Sequence, residues 1–496
     1  MIRKLTTPFL LSMALLAGCG TTVVNPVTGE AERTVMDERA ELAEGRKAHE
    51  EVLKEYGVYR DERLQAYVNG IGQKLASQSH RAGIPWTFTV LDSPEVNAFA
   101  LPGGYVYITR GILAYMESEA DMAGVIGHEI GHVTARHGAQ RATRQQTAGL
   151  GVLAATVLGA VLESQVGLSG GTEMFGQAAQ GVAAGYVAKY SRDQELQADG
   201  LGAEYLARSQ YDPRNMIDVI RVLKQQETFA AEEARAQGRP APEGVNWLSS
   251  HPSNDQRLQA IGQNAARYQG TYASDGAQRF LQAIQGMRFG ESPEQGLTRG
   301  QHFYHSGLGL AMTAPAGWRI RNEPEALTIM SPRGDAALRL LAVPPQAGNS
   351  HDEIIRNALK PSTGRVTRGR INGFAATHFE GARQDRNGKT QSIEATVVTG
   401  PKNNHYVLLY LSADAAARNR AMPEMVAAEK SFRAMTEADR QAARPWMVRV
   451  VPLPRGGFAE LARQSPVSAQ RLQLLNGTWG RADPPAGQMV KTVLEP

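Results

Sequence analysis

Apolar residues along the chain switch between a helical period and a strand period, and the order of the switches divides it into unlike regions. Residues 36–80 read as two helices. In the second, Leu64, Tyr67, Val68, Ile71 and Leu75 recur at helical steps and form one apolar stripe. Trp86 to Leu91 begins a small sheet. Tyr105-Val106-Tyr107-Ile108-Thr109 is a β-rich run behind a Pro102-Gly103-Gly104 turn, and Asn97-Ala98-Phe99-Ala100 is its expected partner strand. Residues 118–137 then read as a buried helix. Ser118 to Asp121 resembles a capping box, and Val125, Ile126, Ile130 and Val133 supply the apolar face. Gly124, Gly127 and Gly131 each cost about 1 kcal/mol in a helix relative to alanine. They make sense where another backbone packs very close.

Further along, residues 148–162 carry no charge but fall short of the roughly 18 apolar residues of a membrane span. A buried core helix is the expectation, and a lid over residues 148–181, where glycines cluster, is the alternative. Residues 228–243 read as an exposed loop and 286–301 as a polar, glycine-rich linker. Beyond it the period shortens. Leu308 to Thr313, Ala337 to Val343, Ala395 to Thr399 and Tyr406 to Leu411 read as strands, with helices at 351–360 and 421–436. In the last fifty residues, strand Met447–Val451, helices Phe458–Ala462 and Ala469–Leu475, and strand Gln488–Leu494 give the order βααβ. The expected class is α+β. A mainly helical domain with a small β-sheet occupies residues 20–285, an α+β domain 302–438, and a small βααβ module 445–496.

The chemistry lies inside the buried helix. Residues 128–132 read His128-Glu129-Ile130-Gly131-His132, the pattern H-E-x-x-H. On a helix the two histidines share a face and can reach one metal ion, and Glu129 is placed to act on a water beside it as general base. A catalytic zinc site needs a third protein ligand. Glu195 and Asp199 lie four apart in a stretch that reads as helical, which suits a ligand carboxylate and a second carboxylate that orients a ligating histidine. Spacing alone leaves a solvated helix face equally open. His137 falls off the metal face and is expected to be an exposed helix-end residue. No Ser-His-Asp constellation is visible.

Four ordered motifs, NAFALPGGYVYITRGIL, HEIGHVTARH, SRDQELQAD and HPSNDQRL, resemble the bacterial metallopeptidases related to BepA, HtpX and the CAAX prenyl protease, over about residues 25–270. The resemblance implies a gluzincin fold, with one Zn2+ per chain on His128, His132 and Glu195 and with Glu129 as catalytic base. It matches Asp199 to the second carboxylate of the glutamate helix and Arg257 to an arginine that positions the nearby loop. It gives Asn97 and Ala98 the role of an edge strand that pairs with extended substrate. His251 falls in a loop near the zinc, where it would either stabilise the oxyanion or occupy the open metal position and hold the enzyme off.

The amino terminus sets the compartment. A basic Met1-Ile2-Arg3-Lys4 precedes an apolar run ending Leu16-Ala17-Gly18-Cys19. This reads as a signal peptide over residues 1–19 whose end resembles the bacterial lipoprotein box, and Cys19 is the only cysteine in 496 residues. Acylated Cys19 would tether the protein to a membrane, and Gly20, which is not the inner-membrane retention aspartate, suggests the periplasmic face of the outer membrane. The mature chain then has no internal disulfide. Formal net charge is only +4 with basic residues dispersed, which argues against nucleic acid as a partner. The βααβ order resembles LysM, a peptidoglycan-binding module, but Gly456-Gly457-Phe458 stands where Gly-Asp-Thr is usual, and a packing module is equally compatible. Two functions follow: a zinc endopeptidase acting on misfolded or stalled envelope proteins, or a periplasmic chaperone or scaffold that keeps the peptidase fold.

Overall fold

The computed structural model describes residues 21–147, 190–236, 247–251, 255–323, 326–384 and 390–495. Cys19, the signal segment and the 148–181 helix or lid lie outside the described residues. Strands β1 (Thr21–Val24) and β2 (Ala31–Thr34) form an antiparallel ribbon ahead of helices α1 (Glu38–Tyr56) and α2 (Glu62–Ala76). The α2 stripe behaves as its period demands: Leu64, Val68, Ile71 and Leu75 are buried. Strands β3 (Thr87–Leu91), β4 (Ala98–Leu101) and β5 (Tyr105–Thr109) make a sheet of order β3-β5-β4, with β3 parallel and β4 antiparallel to β5. This leaves β4 on the edge. Gly103 and Gly104 make its turn at φ +82° and +95°, which a side chain would strain.

Helix α3 (Arg110–Tyr115) leads into α4 (Glu119–Thr134), which is buried along its whole length. Ser118 and Asp121 form the capping box from both sides. Helices α5 (His137–Thr147), α6 (Arg192–Arg208), α7 (Asn215–Ala236), α8 (Trp247–Ser250), α9 (Asp255–Arg267) and α10 (Ala277–Ile284) complete this part. Gly127 and Gly131 of α4 are accounted for by α6, whereas Gly124 faces Met216 of α7 at ordinary contact distance. A Cβ on Gly131 would lie 2.9 Å from the Ala198 carbonyl oxygen, and one on Gly202 would lie 3.1 Å from the His128 nitrogen. This close approach holds the two ligand-bearing helices together. Gly131→Ala is therefore expected to lower stability by about 1–3 kcal/mol. An unchanged denaturation midpoint would mean that the helices have room to part.

Two readings change here. Residues 228–236 are not loop but the last turns of α7, because Ala, Glu and Arg are strong helix formers and Phe229 and Ala234 are buried. The helix expected at 421–436 is α11 (Ala415–Lys430), capped by Asp414 and carrying Pro423 inside it. Residues 433–434 beyond it are a short strand, β17 below.

After β6 (Arg288–Phe289), strands β7 (Leu297–Arg299), β8 (His302–His305) and β9 (Leu310–Thr313) form a four-stranded sheet with β17 (Arg433–Ala434). Strands β10 (Arg319–Glu323), β11 (Ala326–Met330), β12 (Ala336–Ala342), β13 (Thr363–Ile371), β14 (Phe374–Gln384), β15 (Thr390–Thr399) and β16 (His405–Ser412) form a seven-stranded antiparallel sheet. Its order is β10-β11-β12-β16-β15-β14-β13. Ala421, Met425 and Ala428 of α11 pack on one face.

The carboxy-terminal strands β18 (Trp446–Pro452) and β19 (Met489–Leu494) flank α12 (Gly457–Leu461) and α13 (Ala469–Leu475). This unit rejoins the first part of the chain. β18 pairs with β6, and Val448, Phe458, Leu472 and Val493 belong to the same apolar cluster as Ile126 and Tyr205. Among the described residues no helix is long and apolar enough to cross a membrane.

Candidate metal centre

Helices α4 and α6 bring five of the expected residues together, and the segment around α8 and α9 adds two. His128, Glu129, His132, Glu195, Asp199, His251 and Arg257 are each at most 2% exposed. One donor atom each from His128, His132, Glu195 and His251 lies within 4.8 Å of the others. The Nε2 atoms of His128 and His132 are 3.0 Å apart. Glu195 places Oε1 3.4 Å from His132 Nε2 and Oε2 3.6 Å from His128 Nε2.

The protons around these rings can be assigned from their neighbours. Asp199 accepts from His128 Nδ1 at 2.9 Å, so the free lone pair of a neutral His128 is on Nε2. His137 Nε2 donates to the Gln197 side-chain oxygen at 2.9 Å, which leaves His137 Nδ1 to accept from His132 Nδ1 at 2.8 Å. The lone pair of His132 is thus on Nε2 as well. Two lone pairs facing each other at 3.0 Å, with a carboxylate beside them, repel unless a cation lies between. Two imidazole nitrogens and a carboxylate oxygen are the donor set that a catalytic zinc takes. Burial holds the His132 imidazole well below its ordinary pKa, so it stays neutral and able to ligate. Burial alone would raise Glu195, but interactions led by the charge of His251 outweigh it and keep the carboxyl ionised.

Around the donors, Arg257 grips Asp199 with two hydrogen bonds, Nε to Oδ2 at 2.6 Å and Nη2 to Oδ1 at 2.8 Å. Burial opposes ionisation of Asp199, and the Arg257 charge reverses this and holds its pKa low. Arg257 also donates to the His251 carbonyl at 2.9 Å and comes within 2.7 Å of Glu195. One guanidinium therefore fixes a ligand, the partner of a ligand and the His251 backbone. His251 is drawn fully in, with Nδ1 3.0 Å from Glu195 Oε1 and 3.1 Å from His128 Nε2.

Glu129 stands beside the donors rather than among them. Its Oε1 accepts from Trp247 Nε1 at 3.0 Å, while its buried Oε2 has no hydrogen-bond partner. Ala98 begins edge strand β4, and Asn97 directly precedes it. The Thr109 amide donates to the Asn97 carbonyl, so by alternation the Val96, Ala98 and Ala100 backbone groups face the open edge. The Val96 carbonyl there accepts from the Trp247 amide at 2.9 Å. Both polar atoms of the Asn97 side chain are buried without a partner.

Three contributors escaped the sequence. His137 is fully buried rather than exposed, because it packs under His132 and sets its tautomer. Tyr190 stacks on His132 with ring centroids 3.8 Å apart. Trp247 stacks on His251 at 4.8 Å, and their spacing of four, one turn apart, was the available signal.

Residues 62–265 match the model of Peptidase family M48. The chain carries an M48 peptidase domain. Over 202 residues it is 32% identical to the "Beta-barrel assembly-enhancing protease" of Escherichia coli (strain K12), covering 40% of this chain and 38% of that protein. Over 214 residues it is 29% identical to the "Putative beta-barrel assembly-enhancing protease" of Vibrio cholerae serotype O1, covering 42% and 41%. The "Mitochondrial metalloendopeptidase OMA1" of Arabidopsis thaliana is 30% identical over 211 residues, covering 42% and 38%. The chain thus spans about two fifths of the length of these relatives, and the similarity rests on the M48 domain. A solved structure, LpqN of Mycobacterium tuberculosis, aligns with 26% of this chain and 83% of its own at 18% identity and a TM-score of 0.19, too slight a likeness to argue from.

Proposed function

We propose that this protein is a zinc endopeptidase of the bacterial cell envelope, tethered by acylated Cys19 to the periplasmic face of the outer membrane and acting on misfolded or stalled proteins there. The observation that carries the reading is the pair of imidazole lone pairs turned on each other beside Glu195, with an unpartnered Glu129 oxygen alongside. His128, His132 and Glu195 would hold the ion. When bound, zinc supplies Lewis acidity and makes water nucleophilic near neutral pH. Glu129 would take the water's proton on Oε2, its Oε1 being held by Trp247, and pass it to the leaving amine. Extended substrate would lie along the β4 edge at Ala98, with the Asn97 amide free to bond its backbone. The names of the relatives support the enzyme class and the envelope setting.

In this reading the resting site is latched. The segment Trp247–His251 bonds the Val96 carbonyl just ahead of β4, bonds the base and seats His251 against the donors. His251→Ala is expected to raise casein cleavage by about tenfold, since removing a contact of some 1.4 kcal/mol shifts the closed state by that factor. Loss of activity would instead make His251 an oxyanion stabiliser. The same seat supports a second reading, a chaperone or scaffold that works by binding. Zinc content and casein cleavage of the chain lacking residues 1–19 decide between the two. About one zinc per chain with cleavage supports the peptidase. Zinc without cleavage, in the chain and in His251→Ala alike, supports the binding protein. Folded protein without zinc overturns the ligand assignment.

A further inference from the structure

A second group of side chains sets metal-ligating atoms around one point, far along the chain from the first. His378, Glu380 and Glu394 each bring one donor atom within 4.8 Å of the others. The sheet dictates the grouping. His378 and Glu380 are two apart on β14 and share a face, and Glu394 on β15 is the direct cross-strand partner of Glu380. Like charges placed directly opposite each other destabilise a strand pair, so this arrangement calls for positive charge between them.

Each of the three has its other polar atom taken by a neighbour. Arg418 binds Glu394 through Oε2 alone, at 2.8 and 2.6 Å. Arg365 binds Glu380 through Oε2 alone, at 2.8 and 2.5 Å. The two arginines offset charge but leave the Oε1 atoms to other partners. His378 Nδ1 lies 2.9 Å from Thr396 Oγ1. The Thr396 hydroxyl donates its only proton to Glu429 at 2.6 Å, so it must accept from His378 Nδ1–H. Tyr410 donates to the same Glu429 oxygen at 2.5 Å and fixes it. His378 Nε2 faces Glu394 Oε1, 3.6 Å away, where a bound cation would take the place of the ring's second proton. A ligand whose second polar atom is held by an outer partner is the usual construction of a metal site, in which the outer group sets tautomer and orientation. Donor separations in a tetrahedral site with bonds of about 2.0–2.2 Å are close to this distance.

We propose that His378, Glu380 and Glu394 bind a divalent transition-metal cation, best matched by Zn2+, which pins β14 to β15 and leaves a solvent-facing position for water. One imidazole and two carboxylates form a mixed N/O set that suits zinc better than magnesium or calcium. The three side chains are half-buried, so the ion would exchange more readily than one in the buried M48 centre.

The test is zinc stoichiometry of the full-length chain after dialysis against micromolar zinc, with metal-free circular dichroism to confirm folding. Two zinc ions are expected in the wild type, one in His378→Asn, one in Glu394→Gln, one in His132→Ala and none in the double variant His378→Asn/His132→Ala. Zinc should also raise the thermal midpoint of His132→Ala, whose only remaining site is this one, and casein cleavage by His378→Asn should match wild type. One ion in both the wild type and His378→Asn overturns the proposal and leaves a cross-strand ion-pair network. One ion in the wild type and in His132→Ala, with none in His378→Asn, upholds this site and sinks the M48 centre instead. Should His378→Asn fail to fold, Glu380→Gln, at a more exposed position, takes its place with the same expectations.

Discussion

Replacing Glu129 by glutamine should leave zinc content unchanged and reduce peptide cleavage by about 10²–10⁴-fold, the usual contribution of a general base. Glu129 is buried and is not among the residues whose donor atoms converge. Its Oε1 lies 3.4 Å from His251 Nε2. Glutamine has the same shape, and its oxygen can still accept from Trp247 Nε1–H. What it lacks is a proton acceptor in the place of Oε2, which stands buried and without a hydrogen-bond partner. A carboxylate oxygen left in that state is costly unless something approaches it, and the water that must lose a proton is what the proposed chemistry brings there. Metal analysis and casein cleavage on the same preparation check both halves. Cleavage within a few-fold of wild type would remove Glu129 from the mechanism. Loss of zinc along with activity would show that its carboxylate supports the ligands, and the kinetics would then say nothing about proton transfer.

Legibility in the sequence followed how local each signal was. The α4 helix announces itself through Ser118 and Asp121, whose reciprocal bonds span three residues, and H-E-x-x-H needs only one helical turn to be meaningful. Glycines 127 and 131 also reported correctly on something distant, since a missing side chain implies a close neighbour, here Ala198 and Gly202 of α6. Glu195 and Asp199 were placed by family resemblance, because E-x-x-x-D alone fits any solvated helix. In the structure they are ligand candidate and His128 partner, both held by Arg257.

What stayed hidden depended on contacts made across the chain. His137 carries a residue type and position that suit a helix end in water, and only the packing of Gln197 and His132 around it makes it internal. Tyr190 has no periodic signature at all, since it lies just ahead of the Ser191 cap of α6. Strand β13, Thr363–Ile371, is exposed at every position but Ile371 and carries Arg365, Arg368 and Arg370. Without a buried face it shows no alternation, and its arginines suit an edge strand that must not pair with another chain. The linker-like composition of residues 286–301 concealed β6, two residues whose pairing partner Trp446–Met447 lies over 150 positions away.

That long-range pairing leads to the other large expectation: a chain ending at residue 445 should fail to form a stable M48 domain. Val448, Phe458, Leu472, Leu474, Leu475, Val490 and Val493 are all buried in the cluster that contains Ile126 of the ligand helix. Burial of such side chains is worth about 1.5–3 kcal/mol each, so their joint loss rivals the roughly 5–15 kcal/mol that separates folded from unfolded states. The polar contacts point to the same place. Lys491 is 2% exposed, and its ammonium donates to the carbonyls of Ala114 at 2.9 Å and Met116 at 2.5 Å, where α3 ends and two residues before the Ser118 cap of α4. Arg471 reaches Tyr115 at 3.2 Å and Glu233 at 2.7 Å. The module therefore closes the turn from which the H-E-x-x-H helix starts, and an exposed apolar face should follow its removal. Thermal unfolding, limited proteolysis and zinc content of residues 20–445 measure this, with loss of a cooperative transition and of zinc as the expected result. A truncated chain that melts cooperatively within a few degrees of the full one and still cleaves casein would make the module a separate appendage. Because a truncation can aggregate for its own reasons, Lys491→Ala in the full chain provides the finer reading. It strands two buried carbonyls at a cost of about 1–3 kcal/mol each and should lower the midpoint, whereas an unchanged midpoint would show that the junction does not depend on this contact.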